Sequence, residues 1–337
     1  MAEIAPETWL RVTPAGIYCE PGGFHIDPVR PVAHAVITHG HGDHARPGNG
    51  AVLATTETIA IMQSRYGDDA GGALQALGYG ETLAIGGVGL RLAPAGHVLG
   101  SAQVVLEYGG SRVVISGDYK RRPDPTCAAF EPQRCDVFVT EATFALPVFR
   151  HPPDAHEVEK LLHSVRLYPE RCHLIGVYAL GKCQRLLALL REAGYDAPVY
   201  VHGALLPLIA LYRNFGVDLG PVLPWHEAAR DAFKGRIVLC PPAAIADRWS
   251  RRLPDPVLAL ASGWMAVKQR AKARGVELPL VISDHADWDE LTATIGEVGA
   301  PELWVTHGRE EALVHYAQQS GRRARALSLL GFEEDEE

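Results

Sequence analysis

Several features that would set this chain apart from ordinary globular proteins are missing from its sequence. No run of about 18 apolar residues is present, so no membrane-spanning helix is predicted. The opening MAEIAPETWL lacks the apolar core of a signal peptide. The cysteines form no C-x-x-C pair, which predicts reduced thiols rather than a disulfide framework. They number six: Cys19, Cys127, Cys135, Cys172, Cys183 and Cys240. Together these absences predict a cytoplasmic protein with no membrane partner.

The sequence also has little net charge once its last residues are set aside. The formal charge is −8, of which the acidic run EEDEE at 333–337 contributes −5; this run predicts a solvated, disordered tail. The mildly acidic remainder argues against broad coating of nucleic acid, but it leaves room for a local basic groove. At 337 residues, with 47% hydrophobic and 21% charged side chains, the chain suits one large domain or two medium ones.

Polar side chains follow five short apolar stretches, at the point where each predicted strand ends. These stretches are PVAHAVIT, SRVVISGD, DVFVTEAT, LPLVISDH and ELWVTHG, which lead to His39, Asp118, Glu141, Asp284 with His285, and His307. Because sites in layered α/β proteins gather at the carboxyl ends of strands, we expect these groups to converge. Between residues of about 150 and 275, helical and strand patterns alternate, which predicts a separate α/β layer inserted into the chain.

The segment THGHGDHARPG at 38–48 concentrates imidazoles beside a carboxylate in a glycine-rich turn. Imidazole and carboxylate are ligands typical of zinc-type sites. The predicted ligands divide into His39, His41 and His97 for one metal, and Asp43, His44 and His307 for a second, with Asp118 as the bridge. Asp27, just before the first of these strands, is predicted to hydrogen-bond and support a ligand.

The charge of such a centre indicates its substrate. Two divalent cations, Asp43, Asp118 and a bridging hydroxide would carry a net charge of about +1. A centre of that charge attracts the single negative charge of a phosphodiester and can polarise its oxygen, so the residues favour two-metal hydrolysis.

At this point the motifs resemble a known family. THGHGDH, GHVLGS and SGD resemble the signature of metallo-β-lactamase-fold hydrolases. TEATF, ALGKCQRLL, ASGWM, SDHADW and VTHG resemble the motifs of its β-CASP nuclease branch. The combination of ASGWM, SDHADW and VTHG is most similar to the bacterial ligase-associated DNA exonucleases, relatives of the DNA interstrand-crosslink repair nucleases. The resemblance extends from about residue 20 to about residue 325.

The resemblance implies an α/β fold in which a metallo-β-lactamase αββα sandwich contains an inserted α/β β-CASP domain. The sandwich is expected at 1–146 and 282–337, and the insertion at 147–281. The family's metal ligands correspond to the seven residues named above, with Asp27 as the supporting carboxylate. Glu141 is implied to orient His285, the general acid on the leaving oxygen, and Asp43 belongs to the same catalytic site. The implied cofactors are two divalent metal ions, zinc or alternatively manganese.

The function implied is a dimetal exonuclease that hydrolyses DNA phosphodiesters from the 5′ end during DNA repair, on single-stranded or end-containing DNA. A functional association with a DNA ligase and a helicase is part of this expectation. RNA processing or decay stays open, because RNA-processing members of the branch have histidine at the position of His307, where DNA-processing members often have an apolar residue. A small-molecule lactamase- or thioesterase-like hydrolase and a non-catalytic scaffold are the remaining alternatives.

Basic clusters near the predicted metals indicate where phosphates would bind. Lys120, Arg121 and Arg122 directly follow Asp118, and RWSRR at 248–252 and VKQRAKARG at 267–275 add two further clusters. Lys182, at the predicted start of a helix, adds its own charge to that of a helix N-terminus. Ser262 and Gly263 are expected to form a backbone anion nest.

Overall fold

The computed structural model describes residues 4–327, so the predicted acidic tail at 333–337 lies outside the described residues. The chain divides into two compact units. Among the described residues, the first unit consists of 4–150 and 285–327, and the second consists of the intervening stretch 151–284. Within residues 4–327, no helix combines the length and apolar composition that crossing a membrane requires.

Over the residues that the structure describes, the first unit contains two sheets and three α-helices. Its strands are β1 (Leu10–Thr13), β2 (Gly16–Cys19), β3 (Phe24–Ile26), β4 (His34–Val36), β5 (Ala51–Ala54), β6 (Ala73–Ala76), β7 (Thr82–Ile85), β8 (Val88–Pro94), β9 (Ala102–Tyr108), β10 (Ser111–Ile115), β11 (Val137–Ala142), β18 (Glu302–Gly308) and β19 (Arg323–Ala326). Its helices are α1 (Thr56–Tyr66), α6 (Trp288–Val298) and α7 (Glu310–Gln319). The strand orders are β1-β2-β3-β4-β5-β6 and β19-β18-β11-β10-β9-β8-β7.

Three apolar clusters stack these elements in four layers. A central cluster joins the inner faces of the two sheets, with Ile17 and Val36 from one and Leu92 and Val139 from the other. A second cluster packs α6 and α7 on the outer face of the larger sheet. A third packs α1 on the outer face of the smaller sheet. The predicted αββα sandwich is therefore confirmed.

The second unit is a parallel α/β layer. Its strands are β12 (His173–Gly176), β13 (Val199–Val201), β14 (Val222–Pro224), β15 (Ile237–Cys240), β16 (Val257–Ala261) and β17 (Leu278–Leu280), and its helices are α2 (Asp154–Leu167), α3 (Lys182–Glu192), α4 (Leu206–Asn214) and α5 (Lys268–Ala273). The strand order is β14-β13-β15-β12-β16-β17, and all neighbours are parallel. The carboxyl ends of all six strands therefore lie along one edge of this sheet.

The local sequence explains where α6 begins and ends. Asp287 accepts a hydrogen bond from the backbone of Glu290 at 3.0 Å, and the Glu290 side chain accepts one from the backbone of Asp287 at 3.0 Å, which completes a capping box. Gly299, in the left-handed conformation, ends the helix. One predicted strand differs from the observed one: the stretch LPLVISDH forms strand only over Leu278–Leu280, in the second unit, so His285 does not directly follow a strand.

Candidate metal centre and catalytic site

Four strands of the first unit lead to the polar residues of the candidate site. His39 follows β4, Asp118 follows β10, Glu141 lies near the end of β11, and His307 lies near the end of β18. His97 comes from the loop between β8 and β9. Because β10, β11 and β18 are neighbours in one sheet, their polar ends come together as the sequence predicted.

The tightest group of donor atoms combines three imidazoles and one carboxylate. One donor atom from each of His39, His41, His97 and Asp118 lies within 4.8 Å of the others. Asp118 Oδ2 is 3.4 Å from His39 Nε2 and 3.8 Å from His97 Nε2. Nitrogen and carboxylate donors converging on one point form a set suited to a divalent cation of the zinc type.

A buried nitrogen supports this interpretation. His39 is 1% exposed, and within residues 4–327 its Nε2 has no hydrogen-bond partner. Its other ring nitrogen, Nδ1, lies 3.0 Å from the Thr38 hydroxyl, which fixes the orientation of the ring. A buried polar atom that the protein leaves unsatisfied is costly unless a ligand satisfies it, so the residues fit a metal ion.

In the second predicted set, which consists of Asp43, His44 and His307, the other two residues each lie close to His44. His44 Nε2 lies 3.4 Å from Asp43 Oδ2 and 3.4 Å from Asp118 Oδ2. The rings of His44 and His307 stack with their centroids 4.9 Å apart. Asp118 thus lies close to members of both predicted sets, which is the position that a bridging carboxylate requires.

Burial and the neighbouring charged groups shift the pKa values of the residues in the site. Burial opposes ionisation of Asp118, but its neighbours, His44 foremost, hold the pKa of that carboxyl well below its usual range. Burial would lower the pKa of His44, yet Asp118, Asp43 and Asp27 outweigh it and raise the pKa well above its usual value. Burial, aided by His44, lowers the pKa of His307 to about 4 and that of His39 well below its usual value. Since a histidine ligand must be neutral, a cation bound by His44 would displace its extra proton.

Asp27 forms contacts that support the HGHGDH segment at 39–44, which is called the ligand loop below. The sequence predicted such a supporting role for this carboxylate. Its carboxylate accepts hydrogen bonds from the Thr38 backbone N–H at 2.8 Å and the Thr38 hydroxyl at 2.6 Å, and it lies 2.8 Å from His44 Nδ1. Asp27 has a positive φ of 43°, a conformation that costs free energy in a non-glycine residue. The contacts of its carboxylate with Thr38 and His44 offset this cost.

His307 is turned toward the site by a β-bulge. In the pairing of β11 with β18, Glu141 faces Thr306 and Ala142 faces Gly308, so His307 is the extra residue. Its φ is 56°. Gly308, with φ of 119°, is needed there because a Cβ would lie 2.4 Å from the Ala142 carbonyl oxygen. The bulge therefore explains the glycine in VTHG.

The two glycines of HGHGDH accommodate helix α1. A Cβ on Gly40 would lie 2.6 Å from Cγ2 of Ile61, and one on Gly42 would lie 3.0 Å from Nη2 of Arg65. Ile61 and Arg65 are one helical turn apart on α1. Arg65 also donates a hydrogen bond from Nη1 to the Gly40 carbonyl at 2.7 Å. Sequence reasoning missed Arg65, because nothing in the local pattern links a helical arginine to this loop.

Glu141 and His285 form a second, adjoining arrangement. His285 Nδ1 lies 3.1 Å from Glu141 Oε2, and the Tyr119 backbone N–H donates to Glu141 Oε1 at 2.7 Å. Donor atoms of Asp118, Glu141 and His285 lie within 4.8 Å of one another. Burial raises the pKa of Glu141, although His285 counteracts this shift. The pair can hold and deliver a proton beside the candidate metal ligands.

The predicted basic loop after Asp118 differs from the expectation, because its charges are already paired within the first unit. Lys120 is 1% exposed; its Nζ donates to the His285 carbonyl at 2.9 Å and lies 3.3 Å from Glu290. Arg121 binds Glu297 at 2.8 Å, and Arg122 binds Asp287 at 2.7 Å. The acidic partners on and before α6 neutralise the loop, so these three residues tie the loop to α6 rather than offering unpaired charges to phosphate.

The other predicted phosphate contacts are buried in the second unit. Lys182 is fully buried, and its Nζ lies 2.6 Å from Asp284 Oδ1. Ser262 is also fully buried, and its hydroxyl accepts a hydrogen bond from the Trp264 backbone at 3.2 Å. Gly263 begins the short 3₁₀ turn that Ser262 caps. Burial explains the difference from the expectation: a lysine that the sequence places at a helix start is here the partner of a buried carboxylate.

Comparison with known proteins gives relatives along most of the chain, although no family model matches it. A chain named probable DNA ligase from Opitutus terrae is 27% identical over 93% of this chain and 30% of its own length. Ribonuclease TTHA0252 from Thermus thermophilus is 25% identical over 92% of this chain and 89% of its own. Endoribonuclease YSH1 from Gibberella zeae is 30% identical over 44% of this chain and 18% of its own.

The chain thus spans less than a third of the length of the relatives from Opitutus and Gibberella. A solved structure of an Enterococcus faecalis protein of unknown function covers 81% of this chain and 74% of that chain, with a TM-score of 0.57 and 14% identity, a likeness of fold alone. The four-layer αββα sandwich described above is the metallo-β-lactamase fold, and the relatives named nucleases agree with the resemblance of the chain to the β-CASP branch of that fold.

Proposed function

We propose that this protein is a metal-dependent nuclease that hydrolyses phosphodiester bonds. The observation that carries the proposal is the convergence of His39, His41, His97 and Asp118 next to the Glu141–His285 pair. The leaving alkoxide of a phosphodiester needs a proton at neutral pH, and a histidine held by a carboxylate is suited to donate it.

Two divalent cations, zinc or alternatively manganese, would be held at this site. His39, His41 and His97 would hold one, and Asp43, His44 and His307 the other, with Asp118 between them. When bound, the metals supply a deprotonated water and polarise the phosphoryl oxygen. Asp27 fixes His44 through its Nδ1, and Thr38 fixes His39, so the ring nitrogens face the centre.

His285 is proposed as the general acid. Its Nδ1 faces the Glu141 carboxylate, which stabilises the imidazolium and leaves Nε2–H to protonate the leaving oxygen. The Tyr119 N–H anchors the carboxylate, and Lys120 anchors the backbone carbonyl of His285. Asp43 completes the proposed catalytic site.

The substrate that we propose is DNA, single-stranded or with a free end, degraded exonucleolytically from 5′ to 3′ during repair. Similarity over 93% of this chain to part of a probable DNA ligase supports a functional association with a DNA ligase. A helicase is proposed as a further functional partner. Six free cysteines suit the reducing cytoplasm, which is the proposed location. We assign the second unit, His151–Asp284, as the inserted β-CASP domain, and its continuous stretch between the two parts of the first unit supports this assignment.

A ribonuclease is the second candidate. The relative from Thermus thermophilus, named a ribonuclease, aligns over 92% of this chain, and histidine is present at position 307. The proposed metal centre, in which His307 is a ligand, suits both substrates.

One assay tests the reaction and separates these candidates. Purified protein is incubated with 5′- or 3′-labelled single-stranded DNA and RNA of the same sequence, with zinc, with manganese, and with a chelator. We expect metal-dependent release of mononucleotides from 5′-labelled DNA first. Faster cleavage of RNA would favour the ribonuclease, and no hydrolysis of either strand under any metal would overturn the proposal.

A further inference from the structure

Three arginines of the second unit carry charges that the described part of the chain does not neutralise. Arg248, Arg251 and Arg252 lie in the 3₁₀ turn that ends at Arg252, and all three are exposed. Within residues 4–327, none of them forms an ion pair or a side-chain hydrogen bond, in contrast to Lys120 and Lys182. An exposed cluster of unpaired positive charge attracts an anion.

Planar side chains form a row beside these arginines. The Arg252 guanidinium lies over the Trp225 ring at 5.2 Å from its centroid. The ring of Trp225 is 4.9 Å from that of Trp249, which in turn is 5.1 Å from that of His202. This row of guanidinium, two indoles and imidazole is called the aromatic row below.

The aromatic row lies at the carboxyl edge of the parallel sheet. His202 directly follows β13, Trp225 directly follows β14, and Trp249 lies in the segment that follows β15. These three strands are consecutive in the sheet. Ligand sites in open α/β sheets form at this edge, because the loops after the strands gather there.

Core packing accounts for only part of this arrangement. Trp225 and Trp249 pack against the apolar core of the second unit, and Trp249 donates from Nε1 to the Ala244 carbonyl at 2.8 Å. Both indoles nevertheless stay partly exposed. Residues 225–252 contain six basic and three acidic side chains in a chain whose formal charge is −8. Partly exposed indoles beside local positive charge suit a ligand with flat rings and an anionic backbone.

We propose that the aromatic row and the three arginines bind single-stranded DNA. Bases stack on the partly exposed indoles, and Arg248 and Arg251 contact the phosphates. This inference deepens the proposed function and depends on it for the choice of DNA, since stacking and phosphate contacts do not read the sugar. It also assigns binding to a surface of the second unit that contains none of the proposed metal ligands.

The test measures binding without hydrolysis. The full-length protein is titrated into fluorescein-labelled oligo(dT) in the presence of EDTA, and the dissociation constant is read from anisotropy. Trp249→Leu keeps an apolar side chain but removes the stacking face, and we expect the Kd to rise roughly fivefold or more. Trp249→Phe retains an aromatic face and should change the Kd by less than about twofold.

The charge contribution has a matched control. Arg248→Gln/Arg251→Gln should weaken binding and reduce the slope of log Kd against log salt by about 1.4, since each phosphate contact on a single strand contributes roughly 0.7. Arg30→Gln/Arg134→Gln removes the same charge from exposed positions of the first unit and should leave both quantities nearly unchanged. Thermal unfolding verifies that each variant is folded.

Three outcomes would overturn the inference. These are equal losses in the two double variants, a Kd of Trp249→Leu within twofold of the wild type in a folded protein, and oligo(rU) bound an order of magnitude more tightly than oligo(dT). If Trp249→Leu fails to fold, the surface variant Arg252→Gln is measured instead, and a Kd within twofold of the wild type would again overturn the inference. Because no hydrolysis is involved, binding that survives without any nuclease activity would refute the proposed function alone.

Discussion

Asp118 is the residue on which the proposed metal centre depends most, because its Oδ2 lies within 3.8 Å of His39, His44 and His97. We predict that Asp118→Asn reduces hydrolysis to below a few per cent of the wild type and lowers the content of both metals together, since the shape of the side chain is kept while its charge is lost. Metal analysis beside the activity assay measures this. Asp68→Asn, at an exposed position of the same unit, serves as the control. Substantial activity with unchanged metal content would contradict the bridging role.

His285 and His307 both lie at the candidate site, but their substitutions should have different effects. His285→Gln should lower turnover by roughly 10²–10⁴-fold and keep the metals, because it removes the proton donor. His307→Ala should instead lower metal occupancy. A substrate with a better leaving group should partly restore His285→Gln and leave His307→Ala unaffected. Metal analysis that gives the reverse pattern would show that the two roles are exchanged.

At the scale of elements, α1 determines the geometry of the ligand loop. Arg65 holds the Gly40 carbonyl, and the absence of a side chain on Gly42 admits its guanidinium. We predict that Arg65→Met weakens metal binding by roughly tenfold, a loss at the lower end of that seen when groups supporting metal ligands are removed. Arg65→Lys should recover part of this loss, since it keeps a donor.

The measurement for Arg65 is a competitive zinc titration, which does not require turnover. Gln63→Ala changes a neighbouring exposed side chain on the same helix and should have no effect on metal affinity. A loss of thermal stability in Arg65→Met with unchanged zinc affinity would assign Arg65 to folding alone.

The sequence predicted the elements whose signals are local. The glycine-spaced HGHGDH after an apolar strand indicated metal ligands, and alternating helical and strand patterns indicated a separate α/β layer. The bulge at His307 escaped prediction, because an extra residue in one strand is defined only by its partner, β11. The pairing of Arg122 with Asp287 escaped it too, since 165 positions separate the partners. A basic run carries no local sign of whether a distant acidic helix will neutralise it.

At the scale of whole units, substitutions in the buried Lys182–Asp284 pair test how the second unit is stabilised. Both side chains are at most 1% exposed, so the removal of one charge leaves the other buried without this ionic partner. We predict that Lys182→Met costs about 3–5 kcal/mol of unfolding free energy, read as a lower urea midpoint, and that Lys182→Met/Asp284→Asn recovers part of it. Lys160→Met breaks a more exposed pair with Glu157 and should cost at most about 1 kcal/mol. Equal costs for Lys182→Met and the double variant would mean that the loss does not come from the buried charge of Asp284.

Acid should destabilise the second unit through His173, a buried residue of the central strand β12. Burial, aided by Arg171, lowers the pKa of His173 from 6.5 to about 4, and Ser164 lies 2.8 Å from its Nε2. The unfolded chain therefore binds a proton below pH of about 6.5 that the folded chain refuses until about pH 4, so the free energy of unfolding falls as the pH falls through this window. His173→Gln cannot take up that proton, and we predict that its melting temperature drops less than that of the wild type between pH 6.5 and pH 4. Loss of metal in acid affects both proteins alike, so the comparison isolates the imidazole. Parallel melting curves across the window would show that His173 is already protonated in the folded protein.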